Sequence, residues 1–190
     1  MLVITGSGRC GTSVLARFCH NMGYVTGGAW NHDMNAGMED GRFVETSNAI
    51  EQGEVTADVK KYVDTFPRRV VKDPRFMRPK VTELWAERRA DLQVLVCVRN
   101  MEHVSQSYAS TTTQDVNHLE WVTSRTHEMI QSYVELAKHQ VPVRFLAFPN
   151  FLNDYNTVHE LLEWGGLPID YSIGELAWNG LVNKDMVHFR

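Results

Sequence analysis

Apolar positions along this chain follow two alternating patterns: short continuous runs, and longer stretches with three-to-four-residue spacing. "MLVIT" at 1–5 is a run that ends in glycines, which predicts a buried strand feeding a tight turn. Thr12–Met22 then sets Val14, Leu15, Phe18, Cys19 and Met22 on one helical face, with Gly23 as its stop. Residues 24–45 are rich in glycine, asparagine and aspartate and predict a long loop, a feature that compact domains keep mainly for function. A polar, weakly helical stretch covers 46–65. "RRVVKDPRF" predicts a very short strand stopped at Asp73-Pro74, where proline removes a ladder donor. Helical spacing of Val81, Leu84 and Trp85 marks Pro79–Arg89, and proline suits its first turn.

"LQVLVCV" is nearly continuous apolar, a strand expected to be buried on both faces. Helices are expected over 101–109 and 117–139, the second striped by Leu119, Val122, Met129, Ile130, Tyr133 and Leu136. A strand at "VPVRFLAF" and a helix over 154–164, stopped by Gly165-Gly166, complete the series. Strands alternating with helices predict an α/β fold of three layers, α/β/α, around a central and mostly parallel sheet. No repeat, low-complexity tract or linker interrupts the pattern, so one domain over 1–190 is expected.

Composition narrows the function classes. With 43% apolar and 22% charged residues among 190, the chain reads as a globular protein able to bury a full core. A net charge of −4 argues against nucleic-acid or anionic-membrane partners, which recruit basic surfaces. No apolar run reaches the roughly 18 residues of a membrane span, and no basic segment precedes Gly6 as a signal peptide would require. Three cysteines, Cys10, Cys19 and Cys97, are odd in number and fit a reducing compartment. The expected location is the cytoplasm; the oligomeric state is not legible.

Candidate chemistry begins at "TGSGRCGTSVLARF". Gly6–Gly11 matches Gly-x-Gly-x-x-Gly, a dinucleotide fingerprint, but the acidic partner required about 20 positions on is missing. Asp33 lies in "WNHDMNAG", which is no strand. The same residues fit a P-loop with Thr12 in the lysine position, and "LQVLVCV" ends in Arg99 where an NTPase needs a metal-binding aspartate. Such a loop is poorly built for a triphosphate. Its successive N–H groups, helix N-terminus, Thr12 and Ser13 hydroxyls and Arg9 still suit an anion.

The stretch "GSGRCGTSVLARFCHNMG" resembles the 5′-phosphosulfate loop of sulfotransferases that use 3′-phosphoadenosine 5′-phosphosulfate (PAPS). "VCVRNMEHVSQSYAS" resembles their 3′-phosphate motif, with Arg99 ending the strand and Ser107 eight residues later; Met101 replaces the usual proline. "VVKDPRF" with "ELW" is similar to the lysine-bearing strand of bacterial members, and "NAGMEDGRFVE" to their Asn-x-x-Gly-[aromatic]-x-Glu loop at looser spacing. "RFLAFPNFLNDYNTVHELLEWGGLP" resembles the late strand, loop and helix, with Pro149 and Asn150 replacing the common acidic pair.

The resemblance implies a P-loop-NTPase-like fold with Gly8, Arg9, Cys10, Gly11, Thr12, Ser13, Arg99 and Ser107 around the donor. It implies PAPS as donor and adenosine 3′,5′-bisphosphate as product, without a metal. Arg9 is expected beside the 5′-phosphate and leaving oxygen, and Lys72 as the second cation near the sulfuryl group. A general base is also needed; Glu45, Asp73 and His32 are candidates, with Glu45 preferred because the resembling loop ends there. No HExxH or CxxC suggests a zinc site. The acceptor is expected to be a small molecule or carbohydrate bearing a hydroxyl or amine, met by a rim of Trp30, Phe43 and "STTTQ" at 110–114. A P-loop kinase, or a binding protein of this fold without chemistry, remain the alternatives.

Overall fold

In the computed structural model, residues 1–31, 36–109 and 118–182 are described. Four parallel strands, β1 (Leu2–Gly6), β4 (Val70–Lys72), β5 (Gln93–Val98) and β6 (Val143–Ala147), form a sheet in the order β4-β1-β5-β6. Alternation along the strands divides the core in two. Leu2, Ile4, Val70, Leu95, Cys97 and Leu146 pack under α1 (Thr12–Asn21), α7 (Tyr155–Trp164) and α8 (Tyr171–Leu181). Val3, Val71, Val94 and Val96 face α2 (Gly41–Gln52), α3 (Ala57–Thr65), α4 (Pro79–Arg88) and α6 (His118–Lys138). A further helix, α5 (Met101–Ala109), follows β5, and a small antiparallel pair, β2 (Trp30–Asn31) with β3 (Ala36–Gly37), lies before α2. This is the three-layer α/β architecture expected from the pattern. Among the described residues, no helix is long and apolar enough to cross a membrane.

Three departures from the sequence reading have local causes. The expected loop ends early because Asp40 caps α2, its carboxylate accepting from the Phe43 amide at 2.7 Å. Phe43 therefore belongs to the core and not to an acceptor rim: it is fully buried and stacked on Trp85 at 4.6 Å. The polar stretch 46–65 splits into two helices, since Gly53 ends α2 in a left-handed conformation and Thr56 caps α3. Helix α8 escaped the reading altogether. Its signals were an Asp170 cap, accepting from the Ile173 amide at 3.0 Å, and buried Trp178 and Leu181.

The three thiols lie inside this packing. Burial pushes Cys10 up to about 11 and Cys19 up to about 12, and raises Cys97 as well. Thiolate is the reactive species, so a thiol-titrating reagent at pH 8 should find no reactive cysteine in the native protein and three after denaturation. A fast-reacting thiol in the native protein would contradict this packing. Phe43→Ala should lower stability by about 3–5 kcal/mol, read as a fall in the denaturant midpoint.

Candidate functional site

The parallel sheet brings three strand ends to one edge. Ile4 stands beside Lys72 in the register, and Gly6 beside Cys97. The loop after β1 leaves the sheet through a gap that admits no side chain. A Cβ on Gly6 would lie 2.4 Å from the Cys97 carbonyl oxygen and 2.5 Å from Cys10 Sγ. At the far end of the loop Gly11 has φ 85°, and a Cβ there would lie 2.5 Å from a Phe148 ring carbon. These constraints turn the chain directly into α1. No side chain caps that helix and its first turn holds no acidic residue, so its N–H groups keep their positive end for an outside anion. Thr12 is buried and Ser13 half-buried at this terminus, while Cys10 contributes its backbone to the loop and hides its sulfur.

The loop before α1 and the β5–α5 corner meet at Arg9. Its backbone is left-handed at φ 53°, and its Nε donates to Ser107 Oγ on α5 at 3.0 Å. Arg99 in turn donates from a terminal nitrogen to the Arg9 carbonyl at 3.0 Å, across 90 residues of sequence. The Arg99 guanidinium lies 5.0 Å over the Phe148 ring. Burial lowers its pKa, and the neighbouring Arg9 charge adds to that. Among the described residues, its buried Nε has no hydrogen-bond partner and no carboxylate pairs with either arginine.

Lys72, 2% exposed, ends β4 inside the protein instead of on its surface. Its Nζ donates to the Gly37 carbonyl at 2.9 Å and pairs closely with Glu39. The segment carrying Glu39 is pinned where the Gly28 amide donates to the Glu39 carbonyl at 2.7 Å. Glu39 was missed in the sequence reading, although Gly37-Met38-Glu39 offered a tighter glycine-to-glutamate spacing than the one ending at Glu45. Glu45 is exposed on α2, with no ion pair or hydrogen bond among the described residues.

Asp73 serves as a brace. Fully buried, it accepts from Ser47 Oγ and the Arg75 amide, both at 2.9 Å, and its carbonyl accepts from Thr5 Oγ1 at 2.9 Å. Burial raises its pKa against the lowering by the Arg75 and Ser47 bonds. His32 and residues 110–114 lie outside the described residues, as does the Trp30 side chain. Among the described residues, no cluster of histidine, cysteine, aspartate and glutamate could hold a metal ion.

No protein-family model matches the chain, and no curated protein matches its sequence. Among solved structures, the sulfotransferase domain from the curacin biosynthetic pathway superposes with TM-score 0.56 at 12% identity, over 100% of this chain and 80% of that one. The sulfotransferase domain from the Synechococcus PCC 7002 olefin synthase gives TM-score 0.56 at 13% identity, over 99% and 78%. Fainter likenesses reach retinol dehydratase, TM-score 0.48 at 11% identity, and a sugar kinase from Janibacter sp. HTCC2649, 0.42 at 10%; scores this low separate no function from another. At such identities the shared property is the fold: this chain folds as sulfotransferase domains do.

Proposed function

We propose that the protein is a sulfotransferase that takes PAPS as donor and transfers its sulfuryl group to a hydroxyl or amine of a small-molecule or carbohydrate acceptor. The observation that carries this reading is the junction at Arg9, where the loop before α1 and the β5–α5 corner become one anion site. The glycine-walled cradle, the uncapped α1 and the orphaned Arg99 Nε fit a nucleotide with separate phosphates at its two ends.

In this reading the loop amides from Gly8 to Ser13, with the Thr12 and Ser13 hydroxyls, hold the 5′ end, and Arg99 with Ser107 holds the 3′-phosphate. When bound, the donor supplies the activated sulfuryl group. The protein's task is to position the reactants and set cations around the charge that develops on the leaving oxygen. Lys72 is the buried cation at that strand edge. Glu39 replaces Glu45 as the proposed base, because it contacts Lys72 yet is 31% exposed, within reach of an incoming acceptor. As the acceptor oxygen bonds to sulfur and the bridging S–O bond breaks, Glu39 takes the acceptor's proton and Lys72 faces the departing phosphate's charge.

Calorimetry without magnesium should show binding of adenosine 3′,5′-bisphosphate. Arg99→Ala should weaken it by about 1.5–3 kcal/mol, as expected for hydrogen bonds to a charged group. Equal or tighter binding of ATP, with magnesium dependence, would favour a P-loop kinase and sink the proposal. For catalysis, Lys72→Met and Glu39→Gln should both slow sulfuryl transfer to a panel of sugar, alcohol and phenol acceptors, and Glu39→Gln should do so while keeping bisphosphate affinity. The Glu39→Gln loss should be about 10²–10⁴-fold, with Glu45→Gln as wild type. The reverse result in the two glutamine variants would return the base role to Glu45. Binding of the bisphosphate with no transfer to any acceptor would point to a binding protein of this fold.

A further inference from the structure

A groove of about 590 Å³ runs between the first turn of α2, one face of α3 and the connection that leads into β4. Arg68 borders it before β4 begins, whereas the candidate site lies where that strand ends at Lys72. Its volume falls within the roughly 300–1,000 Å³ of small-molecule sites. On the α3 wall, Asp58, Lys61, Tyr62 and Thr65 follow the i, i+3, i+4, i+7 spacing of one helical face. Tyr62 is half-buried and packs edge-on against Phe66 at 5.6 Å, which gives the groove an aromatic wall. From α2, the Arg42 guanidinium lies 4.6 Å over the Tyr62 ring.

The charges along this groove do not balance. Arg42, Lys61 and Arg68 line it against Asp40 and Asp58, one positive charge in excess. Both carboxylates are already committed. Asp40 accepts from the Phe43 amide at 2.7 Å and pairs with Arg68 at 2.6 Å. Asp58 stands in the first turn of α3, where the helix's own N–H groups favour its charge. Arg42 and Lys61 are exposed and have no ion pair among the described residues. Arg68 gives one terminal nitrogen to Asp40, and its other, buried, has no hydrogen-bond partner among the described residues.

We infer that this groove is a second ligand site, which takes a small organic monoanion: a ring-sized body against Tyr62 and Phe66, carrying one carboxylate or one sulfate ester toward Arg42 and Lys61. The excess of a single charge suits one such group better than a phosphate monoester, which carries about −1.5 to −2 near neutral pH. Two unpaired cations on facing elements exchange hydration for charge-assisted hydrogen bonds when the anion enters. The site shares no residue with the junction of Arg9, Arg99 and Ser107, and it does not depend on the donor assigned there.

Calorimetry with benzoate and phenyl sulfate, and with neutral benzamide as control, tests this with and without adenosine 3′,5′-bisphosphate. Wild type should bind at least one of the two anions, with an affinity that falls as salt rises and that the bisphosphate leaves unchanged; benzamide should not bind. Preference between the two anions identifies the head group. Arg42→Ala and Lys61→Ala should each weaken the preferred anion about tenfold, and Lys61→Glu should abolish its binding. An unchanged thermal midpoint checks that these exposed substitutions leave the fold intact. Binding of neither anion, equal binding of benzamide, unaltered affinity in the folded variants, or displacement by the bisphosphate overturns the inference. Failure of the bisphosphate itself to bind is a different pattern: it removes the donor reading, while anion binding that depends on Lys61 still supports the second site.

Discussion

Parallel pairing of β1 with β4 on one side and β5 on the other is the constraint on which the site depends. Because all three strands run the same way, their C-terminal ends reach one edge together. One end supplies the Gly6–Gly11 loop, one Lys72 and one Arg99. An antiparallel β4 or β5 would carry its cation to the far edge. The junction is held tightly from inside: Gly6 passes against the Cys97 carbonyl, and Asp73 bonds Thr5, Ser47 and Arg75 within the protein. A buried carboxylate is unfavourable in isolation, and here its donors offset the lost hydration. Its value is positional: the carboxylate ties Asp73 to Ser47 on α2, while the Asp73 carbonyl, accepting from Thr5, locks the residue after Lys72 to the strand that launches the loop.

The cations at this edge are balanced in two different ways. Lys72 has an internal counterion in Glu39, which spares the empty protein an isolated buried charge. The Arg9–Arg99 pair has no such acid among the described residues, and Arg99 rests on an aromatic ring. An anion arriving at the arginines therefore replaces hydration, whereas one approaching Lys72 competes with a carboxylate already in place. In the sulfotransferase proposed above, the uncompensated arginines would anchor the donor and the compensated Lys72 would stand where charge moves, a division that suits group transfer because a donor held too firmly at its reacting end gains nothing in rate.

The fold was largely legible because its signals were periodic. β5 and β1 are unbroken apolar runs, and the stripe Val14, Leu15, Phe18 and Cys19 is a helix in any context. The residues of the candidate site were brought together for a related reason: a glycine loop between strand and helix, and an arginine closing a strand, are local patterns with a direct geometric meaning. The Lys72 partner was not. Gly37, Met38 and Glu39 lie in a segment with no period, shaped by a left-handed Met38 and by backbone contact with Gly28. Pairing of that kind depends on where two distant segments meet, so counting residues favoured Glu45 instead. Phe43 misled in the opposite way, since an aromatic in a glycine-rich stretch looks exposed until Asp40 starts a helix beneath it.

The loop's missing lysine follows from the same geometry. In a loop built for a triphosphate, a lysine at position 12 would extend along the phosphate chain toward its third member. Here that position is a buried threonine, and the nearby cation comes sideways from β4. Lys72 stands beside Ile4 in the register, next to the strand that launches the loop. A cation in that place is suited to a bond between the first phosphate and whatever it carries, and ill placed for a longer chain. Moving the charge from helix to neighbouring strand shortens the ligand that the same backbone cradle can serve.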